Sequence, residues 1–249
     1  MLGLLEERGV HCTCFVLGEV AEAFPNLVKR IHEQGHELGV HGWHHHRVFE
    51  QERTVYGESL RRARALLQDL SGQEVLGYRA VAMSITKATW WAYDAISQAG
   101  FRYSSSIYPF RGTRYGVPEA SPGAHRVTVG SGGELLEIPL SVVQLGPLRL
   151  PALGGGYFRH LPYAYSRWAL ARLEREQRPA VIYLHPYELD SQFSFWCMPI
   201  DLSRAEEHAI RRVFRSQLRN REQTEGKLGK LLAEARCSTI HQVFGPMLP

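Results

Sequence analysis

The stretch His36–His46, with the sequence HELGVHGWHHH, is the part of the chain on which fold and function depend. Its apolar run from Leu38 to His41 is typical of a strand, and this strand leads directly into a histidine cluster. His41 and His45 stand four residues apart, so a helix beginning after Gly42 would place both imidazoles on one face. Neutral imidazoles held in this way are the commonest protein ligands of zinc and similar metals. The alternative interpretation is a set of solvated loop histidines.

The composition of the 249 residues is typical of a folded protein, with 44% hydrophobic and 22% charged residues and a net charge of +4. This length suits one large α/β domain or two small ones. The basic clusters have acidic residues close by and no accompanying aromatic pattern, so we expect no nucleic-acid partner. We find no apolar run as long as a membrane span and no signal-peptide pattern, so we expect no transmembrane segment and, by default, a cytoplasmic location.

Short strands and helices alternate along the chain, which predicts a parallel α/β sheet, either doubly wound or closed into a barrel. About residues 110–150 are richer in glycine and proline and predict hairpins or an irregular insertion, whereas about 203–249 predict a charged helical C-terminal extension. We interpret residues 1–249 as a single domain. The predicted strands are Val10–Leu17, Leu38–His41, Val75–Arg79, Phe101–Tyr103 and Ala180–Leu184, and the predicted helices cover 50–70, 86–99 and 162–177.

Three of the predicted strands end in a polar residue that a buried strand would not otherwise contain: His41, Arg79 and His185. In parallel α/β barrels the active site lies at the carboxyl ends of the strands. A histidine pair, an arginine and a further histidine at that edge are the components of a metal-assisted hydrolase. Individually, Arg79 could pair with a helix carboxylate, and His185 could be a structural hydrogen-bonding residue.

Six segments, in the right order over most of the chain, resemble the polysaccharide deacetylases of the NodB-homology type, carbohydrate esterase family 4. The branch associated with exosortase and exopolysaccharide gene clusters is the most similar. The resemblance implies a distorted (β/α) barrel, whose motifs lie in about 1–110 and 150–190, and removal of N-acetyl groups from amino sugars with one divalent metal. The segments are Gly9–Gly18, Gly35–Val48, Gly77–Thr86, Gly100–Pro109, Gly154–Tyr163 and Tyr183–Asp190.

The resemblance also implies roles for individual residues. His41 and His45 match the H-x-x-x-H metal ligands, with zinc first and cobalt or nickel as alternatives. Arg79 matches the arginine that orients the catalytic carboxylate, and His185 matches the general acid. The backbone N–H of Ala82 matches an oxyanion donor, and Tyr157 matches a substrate-binding position. The implied partner is a polysaccharide or oligosaccharide with N-acetylated sugars.

The family's first motif, a strand with two aspartates that supplies the third metal ligand and the catalytic base, has no counterpart here. We therefore expect an N-terminally truncated chain, a barrel that lacks its first strand, and poor activity. Val81 also replaces a proline, and Ser104 replaces an aspartate of the family pattern. The alternative hypotheses are a catalytically inactive carbohydrate-binding pseudoenzyme and a sugar O-acetyl esterase.

Overall fold

The computed structural model describes residues 1–112, 115–130, 132–191 and 217–249. Its main element is a six-stranded sheet with the order β1-β2-β3-β4-β6-β5. The pairs β1–β2, β2–β3, β3–β4 and β4–β6 are parallel, and β5 pairs antiparallel with β6 at the end of the sheet. The strands are β1 Thr13–Val16, β2 Glu37–Val40, β3 Gly77–Tyr78, β4 Tyr103–Ser104, β5 His125–Thr128 and β6 Glu134–Glu137, and a separate hairpin pairs β7 Val142–Leu145 with β8 Leu148–Pro151.

The helices begin and end at residues with the expected backbone preferences. Pro25 occupies the first turn of its helix, where the missing N–H costs nothing, and Gly72 ends the longest helix with a left-handed φ of 70°. The helices are α1 Leu2–Glu7, α2 Gly18–Ala23, α3 Pro25–Glu33, α4 Arg53–Ser71, α5 Ala92–Gln98, α6 Gly155–His160, α7 Tyr163–Arg175, α8 Thr224–Glu234 and α9 Ile240–Phe244.

One buried face of α4 packs on the sheet and on the helices beside it. Leu60, Ala63 and Leu67 recur at helical spacing on this face, and all three are completely buried. The sheet also buries polar side chains near its carboxyl edge, among them Ser105 and Glu137. Buried polar groups need hydrogen-bond partners, so these residues mark places where the fold fixes particular loops.

The predicted α/β class is confirmed, because parallel strands alternate with helices along the chain. Within the described residues the sheet is open, so closure into a barrel stays a prediction. Of the two interpretations of about 110–150, the structure contains the hairpins, β5 with β6 and β7 with β8. Leu135 and Leu136 belong to β6, which extends the main sheet beside β4. Both leucines are completely buried, and their burial outweighs the turn-forming residues around them.

Two further local predictions were wrong. No helix begins directly after Gly42. Residues 43–45 form bends, and a φ of 95° at Gly42 turns the chain immediately after β2. The predicted strand Ala180–Leu184 is reduced to one bridge, in which Tyr183 pairs with Gly154. The predicted C-terminal extension is helical in α8 and α9, while residues 203–216 of that prediction lie outside the described residues. No helix in the described ranges is both long and apolar enough to cross a membrane.

Candidate active site

The three polar strand ends predicted from the sequence meet at one edge of the sheet. The amide of His41 donates to the carbonyl of Val16 at 2.8 Å, and the amide of Arg79 donates to that of Val40 at 2.9 Å, so the ladder continues one residue past each strand. His185 and Arg79 lie against the same ring, that of Tyr183, at 5.9 Å and 5.8 Å from its centroid. Burial is the main cause that lowers the pKa of His41 and of His45, and the charge of His185 lowers both further. The structure therefore brings these residues together, as predicted.

The geometry of His41 suits a metal ligand. Its Nδ1–H donates to the carbonyl oxygen of Arg79 at 2.7 Å, which leaves the lone pair on Nε2. Burial lowers the pKa of His41 to about 3, so the ring is neutral at physiological pH. The ring of His45 lies 5.5 Å away between centroids, edge to face. Burial, and then the charge of His185, lower the pKa of His45 as well.

The pair supplies the right kind of donor for a divalent metal but not enough donors. Catalytic zinc sites usually have three protein ligands and an open position. Among the described residues, no group of three or more histidine, cysteine, aspartate or glutamate side chains is arranged to hold a metal ion. His41 therefore fits a position of such a site in tautomer and in charge, His45 fits one in charge, and the remaining protein ligand has no counterpart in the described ranges.

Arg79 is held by neutral groups instead of by a carboxylate. Its guanidinium donates to the carbonyl oxygen of Ser105 at 2.9 Å and to the hydroxyl of Ser105 at 2.7 Å. Its cation lies over the ring of Phe15 at 4.4 Å and near that of Tyr183 at 5.8 Å. Burial lowers the pKa of Arg79 to about 10, partly offset by nearby acidic groups, so the side chain remains charged at neutral pH. No ion pair of Arg79 occurs within the described part of the chain.

Buried Glu137 fixes the loop that supports Arg79. One of its carboxylate oxygens accepts the N–H groups of Ser106 at 2.8 Å and Ile107 at 2.9 Å, and the other accepts the Tyr93 hydroxyl. This arrangement holds Ser105 in place beside the guanidinium. No periodic pattern indicates Glu137, which is a charged residue within an apolar run.

The loop after Arg79 is unusually tight. Ala82 and Met83 both have left-handed backbone angles, with φ of 53° and 51°, although neither is glycine. Such conformations are uncommon and are concentrated at functional sites. The hydroxyl of Ser106 holds the loop by accepting the N–H of Ala80 at 2.8 Å. Ala82 is exposed, and its N–H makes no hydrogen bond with the described residues, so it is available to a ligand. Its predicted oxyanion role stays a prediction.

His185 has a carboxylate partner that was not predicted from the sequence. Glu188 accepts the backbone N–H of His185 at 2.9 Å, and the same oxygen lies 3.1 Å from Nδ1 of the ring. The other oxygen of Glu188 accepts from Arg159, and both members of this ion pair are almost wholly buried. The four-residue pattern His-Pro-x-Glu is a capping box, which could have indicated the contact.

The remaining predicted residues take different positions. Tyr157 is half-buried in an aromatic cluster, with its ring 6.2 Å from those of Tyr108 and Phe110, and its substrate role stays a prediction. His44 and His45 are both exposed, but Nδ1 of His44 is bonded to the carboxylate of Glu19 at 2.6 Å, which sets His44 apart from the His41–His45 pair. Buried His36 accepts the amide of Cys12 at 3.2 Å, consistent with a structural role.

Two family models match this chain in succession: polysaccharide deacetylase over residues 1–104, and the domain of unknown function DUF3473 over residues 105–245. The second match covers more than half of the chain. The chain belongs to the DUF3473 family and begins with a polysaccharide deacetylase domain. The resemblance stated from the motifs is confirmed, whereas the exosortase-associated branch and the truncation stay predictions.

Individual relatives agree with this assignment over parts of their length. A peptidoglycan-N-acetylglucosamine deacetylase of Bacillus cereus is 36% identical over 72 residues, which are 29% of this chain and 26% of that protein. A peptidoglycan deacetylase of Helicobacter pylori is 28% identical over 112 residues, or 43% of this chain and 36% of the relative. The chain thus spans about a quarter to a third of these curated relatives.

A solved structure from Mycobacterium smegmatis, assigned to the polysaccharide deacetylases, is similar in fold. Its TM-score is 0.64 at 19% sequence identity, and the alignment covers 100% of this chain and 77% of that chain. At this identity the likeness shows the fold alone.

Proposed function

We propose that this protein is a metal-dependent hydrolase that removes N-acetyl groups from the amino sugars of a polysaccharide. The observation that carries the proposal is the meeting of the neutral pair His41 and His45 with His185 at the carboxyl edge of the sheet. The deacetylase activities named for the relatives from Bacillus cereus and Helicobacter pylori support the class of reaction.

The side chains at this edge have distinct tasks in such a reaction. His41 and His45 would hold the divalent metal, zinc first, which supplies a Lewis acid and an activated water when it is bound. His185 would donate a proton to the departing amine, because an amine leaves readily only when protonated. The free N–H of Ala82 would stabilise the negative charge that develops on the carbonyl oxygen. Tyr157 would contact the sugar, as apolar and aromatic side chains commonly do in ligand sites.

Among the described residues, Arg79 has no ion-paired carboxylate, and the histidine pair has no third side chain arranged with it to hold a metal. A missing positioned base typically costs on the order of a hundredfold to ten-thousandfold in rate. We therefore propose that these 249 residues alone turn over slowly. A carboxylate supplied from outside the described ranges would raise the rate by supplying the base, the third ligand, or both.

The direct test is acetate release from an N-acetylated chitooligosaccharide with added Zn²⁺ or Co²⁺. We expect slow, metal-dependent release that His41→Ala abolishes and that His44→Ala leaves unchanged, because His44 is exposed and bonded to Glu19. Release that does not depend on metal, or that survives His41→Ala, would contradict the proposal. Parallel assays with an O-acetylated sugar decide between amide and ester hydrolysis, since the same metal chemistry serves both.

A second candidate function is carbohydrate binding without catalysis. It is favoured by Arg79, whose described partners are a carbonyl oxygen, a hydroxyl and aromatic rings rather than a catalytic carboxylate. Calorimetric titration with the same oligosaccharide discriminates the two. Saturable binding with no acetate release under any metal would establish binding alone.

A further inference from the structure

Glu188 is a completely buried carboxylate that none of the roles proposed above uses. It lies three residues after His185, in the 3₁₀ turn Pro186–Glu188. A charged group is rarely buried unless it is paired, and here Arg159 provides the pairing on one oxygen. The other oxygen faces His185 alone among the contacts found in the described residues.

Closing the turn does not require a carboxylate. The backbone N–H of His185 donates to Glu188, and a serine or threonine hydroxyl commonly serves the same purpose in other turns. The distinctive contact is the second one, at 3.1 Å to ring Nδ1. The ring is further restrained by Tyr187, stacked at 5.2 Å between centroids with an interplanar angle of 27°, and by the edge of Tyr183 at 5.9 Å.

We propose that Glu188 is the positioning residue for His185, holding the imidazole with its proton on Nδ1 and leaving Nε2 as the atom presented to substrate, while Arg159 holds Glu188 in place. This inference rests on the proposed function for the role of His185, but its geometry does not depend on turnover. An ionised carboxylate accepts and cannot donate, so Nδ1 must carry the hydrogen of this contact.

The contact biases the imidazole between its two neutral tautomers. A hydrogen bond to a buried charged acceptor is strong, so the Nδ1–H form should exceed the Nε2–H form by on the order of tenfold to a hundredfold. The side chain of His185 is 43% exposed, and Nε2 is the ring nitrogen that does not contact Glu188. In the neutral Nδ1–H form Nε2 carries no proton, so His185 must first take a second proton from water on Nε2 before it can give that proton to the departing amine. Nε2 must therefore be free of protein partners.

The experiment is nitrogen NMR of the chain with ¹⁵N-labelled histidine, at a pH at which the imidazoles are neutral. We expect His185 to show predominantly the Nδ1–H tautomer, and Glu188→Gln to reduce the tautomer ratio at least tenfold. The matched control is Glu19→Gln at the exposed His44–Glu19 pair, where the atoms approach to 2.6 Å but both side chains are solvated. This control variant should leave the His185 signal unchanged.

Glu188→Gln leaves Arg159 without its charged partner and could prevent folding. The double variant Arg159→Met, Glu188→Leu removes both charges and tests the same tautomer ratio in a folded protein. A predominantly Nε2–H tautomer in the wild type, or an unchanged ratio in the double variant, would overturn the inference. Acetate release is measured separately: no release with the expected tautomer contradicts only the proposed function, while release with the wrong tautomer contradicts only the role of Glu188.

Discussion

The candidate site contains two arginines whose surroundings differ sharply, Arg159 being buried and Arg79 partly buried. Arg159 faces the buried carboxylate of Glu188, and that carboxylate also contacts His185. Arg79 faces the carbonyl and hydroxyl oxygens of Ser105 and the ring of Phe15, all of which are neutral. On the His185 side a buried cation is therefore ion-paired with a carboxylate, whereas Arg79 has no ion pair among the described residues. Burial lowers the pKa of Arg79, and nearby Tyr103, Tyr183 and Glu137 only partly offset this effect.

This difference indicates which side of the site is complete in the described residues and which side lacks a carboxylate. A paired buried charge is stable and holds its neighbours in fixed positions, as expected of a proton donor. An unpaired guanidinium beside two neutral histidines attracts an anion, either a carboxylate or the developing charge of a substrate. The contrast predicts that replacing Arg159 and replacing Arg79 by methionine will change the free energy of unfolding by different amounts.

The largest effect is expected from Arg159→Met, which leaves the buried carboxylate of Glu188 without its cation. Removing one member of a buried ion pair typically costs about 3–5 kcal/mol, and we expect that loss in the free energy of unfolding from urea denaturation. The double variant Arg159→Met, Glu188→Leu should recover most of the stability, since an apolar pair replaces the ions. A loss below about 1 kcal/mol for the single variant would show that the pair is not buried as described.

On the unbalanced side, we expect an effect on metal affinity. His45→Ala removes one of two ligands and should weaken Co²⁺ or Zn²⁺ binding by at least tenfold to a hundredfold, which is the loss typical of residues that only orient metal ligands. Isothermal titration of metal-free protein measures this affinity. His44→Ala is the control from the same cluster, and equal losses in both variants would mean that the metal binds elsewhere or on exposed histidines.

Arg79→Met is the counterpart of the first substitution and should be milder. It leaves only neutral groups of Ser105 without a partner, at about 1–3 kcal/mol, and it removes the cost of burying a charge. We expect the free energy of unfolding to stay within about 2 kcal/mol of wild type. Destabilisation as large as that of Arg159→Met would show that a carboxylate does pair with Arg79 in the folded protein.

Much of the fold could be predicted because buried positions recur along the sequence with the period of a helix or of a strand. The helices α4 and α7 and the strand β2 follow their hydrophobic patterns, and the polar residues His41 and Arg79 mark where strands end. Hairpins were predicted around β6, but its place beside β4 was not, because a strand of four residues among turn-forming residues carries little information on its partner.

The site was predicted in its strand-end residues but not in its supporting residues. His45 approaches His41 through bends after Gly42, although its four-residue spacing had indicated a helix. Glu188 and Glu137 act through turn and long-range contacts, which produce no periodic pattern. Tertiary packing fixed these contacts, and the sequence offered only the capping-box spacing of Glu188 as a signal.

The smallest effect is expected at His36, a buried histidine that contacts neither arginine in the described residues. It shows how strongly one buried histidine makes the free energy of unfolding depend on pH. Burial, and then the charge of His11, lower the pKa of His36 below its usual value of 6.5. Below pH 6.5 the imidazole of His36 therefore binds a proton in the unfolded chain but stays neutral in the folded protein. The free energy of unfolding falls as the pH falls, by up to about 1.4 kcal/mol per pH unit. His36→Asn keeps an acceptor for the amide of Cys12 but cannot titrate, so its urea midpoint should fall less steeply between pH 6.5 and 5 than that of wild type. Equal slopes in the two proteins would mean that His36 is protonated in the folded state, and that its buried ring has a partner beyond the described contacts.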